Sequence, residues 1–191
     1  MSRKNKVETI AYWISFVGHP LFTISAFVLV YGFLFFDVKN AITSFLFILF
    51  AVIIPISVNN YWQSKKGMIT NFDVSDRKQR ASLYPYLLLL MAIVSGIMCK
   101  LNFPDKITLG VVYFFLMLVA ITLINLRLKA SLHAAGSFFI CMMIFEINPV
   151  VGIAAILFSI IVSWSRIVLK MHTKSEVIAG VVLGIIFGLL G

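Results

Sequence analysis

Long runs of apolar residues, separated by short polar breaks, make up nearly the whole chain. Seven runs can be marked off between charged or strongly polar residues, at 10–36, 41–58, 83–99, 107–126, 134–145, 150–164 and 177–190. A helix that spans a bilayer needs roughly 20 apolar residues, and the runs lack the alternation of barrel strands. We therefore predict an all-α, polytopic membrane helical bundle of about seven spans (six to seven), which forms one domain over residues 1–191.

Two positions that contain proline decide how the runs are divided. The first run includes His19-Pro20, and proline is tolerated in a spanning helix when neighbours satisfy the carbonyl that it leaves without a donor. We expect that run to form one helix, with His19 packed at a kink. The fifth and sixth runs are short, but Glu146, Asn148 and Pro149 form a polar break between them. This break predicts a hairpin turn rather than one bent span.

The composition agrees with a membrane protein. Hydrophobic residues make up 61% of the 191 residues and charged residues only 12%, whereas soluble domains average about 25% charged residues. The two cysteines, Cys99 and Cys141, form neither a disulfide framework nor a metal-ligand spacing. The first apolar run is longer than that of a cleavable signal peptide, so we expect the first helix to be retained. The lipid bilayer, and no nucleic acid, is the expected partner, and we assign no oligomeric state.

The basic residues are distributed unevenly along the chain. With seven spans, the N-terminus and the segments 59–82, 127–133 and 165–176 lie on one side of the membrane, which then carries 13 of the 16 Lys and Arg residues. Setting aside the four cations that a site would use still leaves nine against three. Because cytoplasmic loops carry the excess of basic residues, we predict that these segments face the cytoplasm, in the bacterial inner (cell) membrane.

The segment 165–176 carries side chains suited to phosphate chemistry. His172 and Glu176 are four residues apart, so on a helix they share one face. A carboxylate bonded to one imidazole nitrogen fixes the tautomer, and the other nitrogen can then attack phosphorus. Arg166 can hold two phosphate oxygens through its planar guanidinium. This segment therefore predicts a phosphate site with a nucleophilic histidine.

The other two polar segments of the same side add further candidates. His133 opens the fifth run just after Ser131, and the N-terminus of a helix favours anions. Its imidazole is suited to donate a proton to a departing oxygen. Arg77 and Arg80 are three residues apart and would share one face of a helix, as two more phosphate ligands.

Three short motifs resemble those of a known family. Residues 165–176 resemble the Ser-Arg-x5-His-x3-Asp motif of the type 2 phosphatidic acid phosphatase (PAP2) superfamily, with Glu176 in place of the aspartate. Ala-Ser-Leu-His at 130–133 resembles its Pro-Ser-Gly-His motif, and the run that ends in Arg-Lys-Gln-Arg at 77–80 resembles its first motif, Lys-x6-Arg-Pro. The resemblance covers roughly residues 59–191 and implies a PAP2-like core there.

The resemblance implies a metal-independent phosphatase that needs no cofactor. It assigns the nucleophile to His172, which Glu176 orients, and it implies a phosphohistidine intermediate. It assigns protonation of the leaving group to His133, and phosphate binding to Ser131 and the motif arginines. The lysine of the first motif is absent in register, and Lys129 is the candidate for its charge.

The expected substrate is a membrane lipid phosphate. It would be a phosphomonoester or a diphosphate, of the phosphatidic acid, phosphatidylglycerol phosphate or polyprenyl phosphate type. The alternative is a non-catalytic PAP2-like membrane protein that binds anionic lipid headgroups.

Simpler interpretations exist for several of these residues. Residues 173–176 have the pattern of a capping box, in which Glu176 caps the last helix. His133 fits a satisfied histidine at the membrane interface, and the basic residues at 77–80 fit a loop that faces lipid headgroups. Asp73 and Asp76 have the spacing of a metal-diphosphate site of the prenyltransferase kind, but the sequence lacks a second acidic cluster.

Overall fold

The structure is a computed structural model that describes residues 6–69 and 77–191. For residues 77–82 it describes the backbone only. Within this part the regular structure is helical, which confirms the predicted all-α class. The helices are α1 (Lys6–Val17), α2 (Pro20–Phe35), α3 (Val38–Ile48), α4 (Ile54–Lys65), α5 (Arg77–Lys100), α6 (Asp105–Ile124), α7 (Leu132–Ile147), α8 (Pro149–Val168) and α9 (Lys174–Leu190), and a π-helical segment, Leu49–Ile53, joins α3 to α4.

The predicted number of seven spans is not confirmed. Four helical stretches of the described residues are long and apolar enough to cross a membrane, namely Val38–Lys65, Leu83–Lys100, Asp105–Ile124 and Pro149–Val168. The pair α1 and α2 makes a fifth if the two form one bent span. Each of the seven apolar runs does lie on helix, but α7 has only 16 residues. At about 1.5 Å per residue it extends about 24 Å, less than a hydrocarbon core of about 30 Å.

The chain divides into two compact units, which we describe separately. The first unit comprises Met1–Ile24 and Ala120–Gly191, and the second comprises Ser25–Val119. In the first unit, α7 packs against both α8 and α9, and α1 packs against α8. The residues of α7 from 133 to 143 are all buried. A helix that is apolar on every side belongs in the interior of a bundle, and α7 is the central helix of this unit.

The first apolar run forms two helices instead of the expected single kinked one. α1 ends at Val17 and α2 begins at Pro20, with an angle of 46° between them. Pro20 therefore stands at the first position of a helix, where its missing N–H is not needed. His19 is the N-cap of α2, because its Nδ1 accepts a hydrogen bond from the backbone N–H of Leu21 at 3.2 Å.

The predicted hairpin turn between α7 and α8 is confirmed. Asn148 has an extended backbone, and its Oδ1 accepts hydrogen bonds from the backbone N–H groups of Val150 and Val151, at 3.0 and 3.2 Å. Pro149 follows as the first residue of α8. The asparagine cap and the proline together start a new helix at this point.

A stripe of glycines on α9 sets the packing of α9 against α7. Gly180, Gly184 and Gly188 are four residues apart, and a Cβ on any of them would come within 2.4–2.6 Å of a backbone oxygen of the segment 131–139. The oxygens belong to Ser131, Ala135 and Phe139 respectively. Because the contact residues advance together along both helices, α7 and α9 run parallel. Small residues at this spacing allow two helix backbones to approach closely.

The second unit contains the long helical stretch Val38–Lys65. Asp37 caps the N-terminus of α3 by accepting a hydrogen bond from the N–H of Asn40 at 3.0 Å, and this bond lowers the pKa of the Asp37 carboxyl below its ordinary value. Pro55 lies just after the π-helical segment. Since proline lacks an N–H and its ring crowds the preceding turn, the wider helix at this point has a local cause.

Candidate functional site

His172 and Glu176 form the centre of the candidate site. His172 Nδ1 lies 3.0 Å from Glu176 Oε2, and the side chain of His172 is fully buried. The same carboxylate oxygen accepts the backbone N–H of Thr173 at 3.1 Å, and Thr173 Oγ1 accepts the N–H of Glu176 at 3.3 Å. The capping box is therefore present, and the carboxylate that closes it also contacts the histidine.

His172 and Glu176 are in contact as predicted, but the predicted reason, a shared helix face, is wrong. His172 does not share a helix face with Glu176, because α9 begins at Lys174 and Thr173 is its N-cap. The capping box turns the Glu176 side chain back toward the residues before the helix. This geometry brings the carboxylate to the imidazole from the side of the helix N-terminus.

Lys129 lies beside the same carboxylate. Its Nζ donates a hydrogen bond to the backbone oxygen of Met171 at 2.9 Å and lies 3.9 Å from Glu176 Oε2. The lysine thus connects the segment before α7 to the segment before α9. It places a positive charge next to the histidine and carboxylate pair.

Arg166 is the largest fully buried side chain among the described residues. It lies in the last turn of α8, and its guanidinium NH1 donates a hydrogen bond to Ser15 Oγ of α1. Its backbone oxygen accepts the N–H groups of Met171 and His172, at 3.1 and 3.3 Å. The arginine is therefore joined to the histidine through the backbone.

The end of α8 explains the spacing between Arg166 and His172. Lys170 has a left-handed backbone, with φ of 55°, and its N–H donates to the oxygen of Ile167 at 2.9 Å. Together with the bond from Met171 to Arg166, this is a Schellman motif. The motif ends the helix and reverses the chain, so that His172 returns to the residue six positions before it.

Ser131 and His133 stand at the N-terminus of α7. Ser131 is the N-cap, because its Oγ accepts the N–H of Ala134 at 3.4 Å, and its own N–H donates to the backbone oxygen of Glu176 at 3.0 Å. His133 lies in the first turn of α7 and is 5% exposed. The N-termini of the parallel helices α7 and α9 therefore meet at one place. The positive ends of both helix dipoles lie there.

His19 is a residue of this region that the sequence did not indicate. Its ring lies 4.9 Å from that of His133, centroid to centroid, and the two planes are nearly perpendicular at 88°. Pro20 packs beside it on Gly136, where a Cβ would meet the proline ring at 3.4 Å. The one available signal was an ionisable residue inside a long apolar run, which in membrane proteins often marks a functional position.

The remaining predicted residues lie outside this geometry. α5 begins at Arg77, but the side chains of Arg77 and Arg80 fall outside the described residues. Asp73 and Asp76, the basis of the prenyltransferase alternative, also fall outside them. Within the first unit, hydrogen bonds and close contacts connect five of the other candidates, His172, Glu176, Lys129, Ser131 and Arg166. The sixth, His133, lies in the first turn of the helix that Ser131 caps.

The part of the chain that holds these residues matches a known family. Residues 127–191 match the family model of the PAP2 superfamily. The match covers about a third of the chain and confirms the predicted resemblance over this segment. No curated protein and no solved structure matches the chain significantly. The apolar helices and the PAP2 match together indicate an integral membrane protein, and the superfamily that residues 127–191 match consists generally of phosphatases.

Proposed function

We propose that this PAP2-like protein is a membrane lipid phosphatase that works through a phosphohistidine on His172. The observation that carries the proposal is the 3.0 Å contact between His172 Nδ1 and Glu176 Oε2. A carboxylate at Nδ1 favours the tautomer with the proton on that nitrogen and leaves Nε2 unprotonated. The lone pair of Nε2 is then the nucleophile.

In the first step, His172 Nε2 attacks phosphorus and the bond from phosphorus to the lipid oxygen breaks. His133 donates a proton to the departing oxygen, so the lipid leaves as an alcohol or, from a diphosphate, as a monophosphate. Arg166 and Lys129 balance the negative charge on the transferred phosphoryl oxygens, and Arg77 and Arg80 are the further candidates for this role.

In the second step, water attacks the phosphorus of the phosphohistidine and the bond from phosphorus to Nε2 breaks. His133 takes the proton of the attacking water, so both histidines return to their starting states and inorganic phosphate leaves. Every electron pair in this scheme comes from His172 or water. The scheme therefore uses no metal ion and no cofactor.

The electrostatics of the described residues support an anionic substrate. The N-termini of α7 and α9 meet beside Glu176, and a helix N-terminus carries about half a positive charge. Arg166 is fully buried, where its field is screened much less than at a surface. A phosphate group has the charge that such a site requires.

The proposal also includes the class of substrate and the side of the membrane on which the site lies. The substrate would be a phosphomonoester or diphosphate of a lipid, of the phosphatidic acid, phosphatidylglycerol phosphate or polyprenyl phosphate type. The nine-against-three excess of basic residues supports a site on the cytoplasmic face of the bacterial inner membrane. A protein that only binds anionic headgroups is the second candidate, because the same cations would hold a phosphate without turnover.

The test is phosphate release by the purified full-length protein in mixed micelles with dioleoyl phosphatidic acid, dioleoyl phosphatidylglycerol phosphate or undecaprenyl diphosphate, each with and without EDTA. We expect release from at least one lipid, no effect of EDTA, and loss of release in His172→Ala. His133→Ala should slow turnover least for the diphosphate, whose leaving group needs little protonation. Binding of these lipids without release would instead identify the non-catalytic headgroup-binding protein.

A further inference from the structure

The break between α1 and α2 is attached to the C-terminal helices at several points. Ser15 accepts the hydrogen bond from Arg166 of α8. At Gly18, a Cβ would lie 2.4 Å from a methyl group of Val162. The break is therefore held against α8 by one polar contact and one close backbone approach. It forms a wall of the candidate site, although it lies outside the segment that matches the family.

The His19 ring is fixed on one side by its own helix. Its Nδ1 accepts the N–H of Leu21 at 3.2 Å. A neutral imidazole that accepts at Nδ1 carries its proton on Nε2. The cap therefore selects one tautomer of the ring.

The other side of the His19 ring meets His133. The centroid distance of 4.9 Å and the perpendicular planes place the edge of one imidazole against the face of the other. The first turn of α7 fixes the backbone of His133, and rotation about its side-chain bonds sets the orientation of the ring. A rigid neighbour in edge-to-face contact restricts that rotation.

We propose that His19 is a positioning residue that holds the His133 ring in the orientation needed to protonate the leaving group. The inference rests on the proposed function, in which His133 is the general acid. It adds a third histidine, supplied by the N-terminal part of the chain, to the site built by residues 127–191. General acid catalysis requires the donor nitrogen within hydrogen-bond reach of the oxygen, and a small misplacement of such a group costs up to about a hundredfold in rate.

The informative substitution is His19→Asn. Asparagine is among the best N-cap residues, so its side-chain oxygen can still accept the Leu21 N–H while the ring is lost. His19→Ala would remove the cap together with the ring. A comparison of thermal unfolding in detergent between the two variants and the parent separates the cap from the ring.

The kinetic arm is a double-mutant cycle on whichever lipid of the panel the parent hydrolyses. His19→Asn should lower kcat in the parent by about ten- to a hundredfold, the loss expected when a catalytic group is misplaced and no more than the contribution of the general acid itself. In a His133→Ala background it should change kcat by less than about twofold, because the residue through which it acts is gone. An equal loss in both backgrounds, or no loss in the parent, would overturn the proposal.

The second arm needs no turnover and so separates this inference from the proposed function. The chain has three histidines, so protein labelled with ¹⁵N in the imidazole rings shows three pairs of ring signals. At one fixed pH, His19→Asn should remove one pair and shift the pair of His133, while the pair of His172 stays in place. Asp37→Asn, which changes the N-cap of α3 in the other unit, is the control and should shift none. If His19→Asn leaves the His133 ring signals in place, the proposed positioning role of His19 is wrong, even if the enzyme is active. If those signals shift in a protein that shows no turnover, only the proposed phosphatase activity is contradicted.

Discussion

The guanidinium of Arg166 donates a hydrogen bond to the hydroxyl of Ser15, a residue 151 positions earlier in the chain. Both residues are buried, the arginine completely. A buried charge is stable only where hydrogen bonds replace its lost hydration. Ser15 supplies one of these bonds, and the contact joins the first helix of the chain to the last turn of α8.

Ser15→Ala tests this contact as a stabilising interaction. The substitution removes an acceptor from a buried cation, so we expect the free energy of unfolding to fall by about 1.5–3 kcal/mol. The measurement is denaturant or thermal unfolding of the purified protein in detergent. Ser44→Ala is the matched control, because Ser44 is fully buried and its Oγ has no hydrogen-bond partner among the described residues. Equal effects of the two substitutions would contradict the role assigned to Ser15.

Arg166→Lys tests the geometry of the phosphate contact rather than its charge. Lysine keeps the positive charge but lacks the planar fork that can hold two phosphate oxygens. We expect kcat to fall by about tenfold to a thousandfold, the cost of one electrostatic contact in a transition state. The measurement is the rate of phosphate release from the lipid that the parent protein hydrolyses fastest. A fully active Arg166→Ala enzyme would exclude Arg166 as a phosphate ligand.

Gly184→Ala tests the close contact of α9 with α7. A Cβ at this position would lie 2.4 Å from the backbone oxygen of Ala135, so the helices must separate. We expect a loss of about 1–3 kcal/mol of stability and a loss of activity, because His133 and Glu176 stand on the two helices. Gly96→Ala in α5 is the control, since nothing lies within 4 Å of a Cβ there. It should be neutral or stabilise by up to about 1 kcal/mol, and an equal loss in both variants would argue against the packing explanation.

The orientation of the site can be tested by labelling single cysteines in intact cells, in a background without Cys99 and Cys141. We expect cysteines at Ser2, Ser64 and Lys174 to resist a membrane-impermeant thiol reagent, and one at Asn102 to react. The expectation rests on the basic residues outside the candidate site, nine on one side against three on the other. Labelling at Ser64 and Lys174 but not at Asn102 would invert the topology and move the site to the outer face.

Apart from the break between α1 and α2 and the start of α9 after His172, the helices could be predicted because they depend on neighbouring residues. Each apolar run lies on helix, and the turn at Asn148 is where the polar break predicted it. The capping box at residues 173–176 also follows its local pattern. Hydrogen bonds in such caps and turns join residues only two or three positions apart, so the chain itself carries the information. The predicted number of spans is not confirmed, because an apolar run predicts a helix but does not show that the helix crosses the bilayer. α7 has only 16 residues and is shorter than the hydrocarbon core.

The candidate site depended partly on local motifs and partly on packing. The motifs indicated His172, Glu176, His133 and Arg166. Hydrogen bonds join His172 to Glu176 and Arg166, and His133 lies in the same unit. No local pattern indicated the contacts between His19 and His133 or between Ser15 and Arg166. These contacts join residues 114 and 151 positions apart. Apolar periodicity shows that a residue lies on a buried helix but not which helix covers it. Close packing decides which helices meet. The glycine stripe of α9 allows α7 to approach closely, and Gly18 allows the close approach of α8.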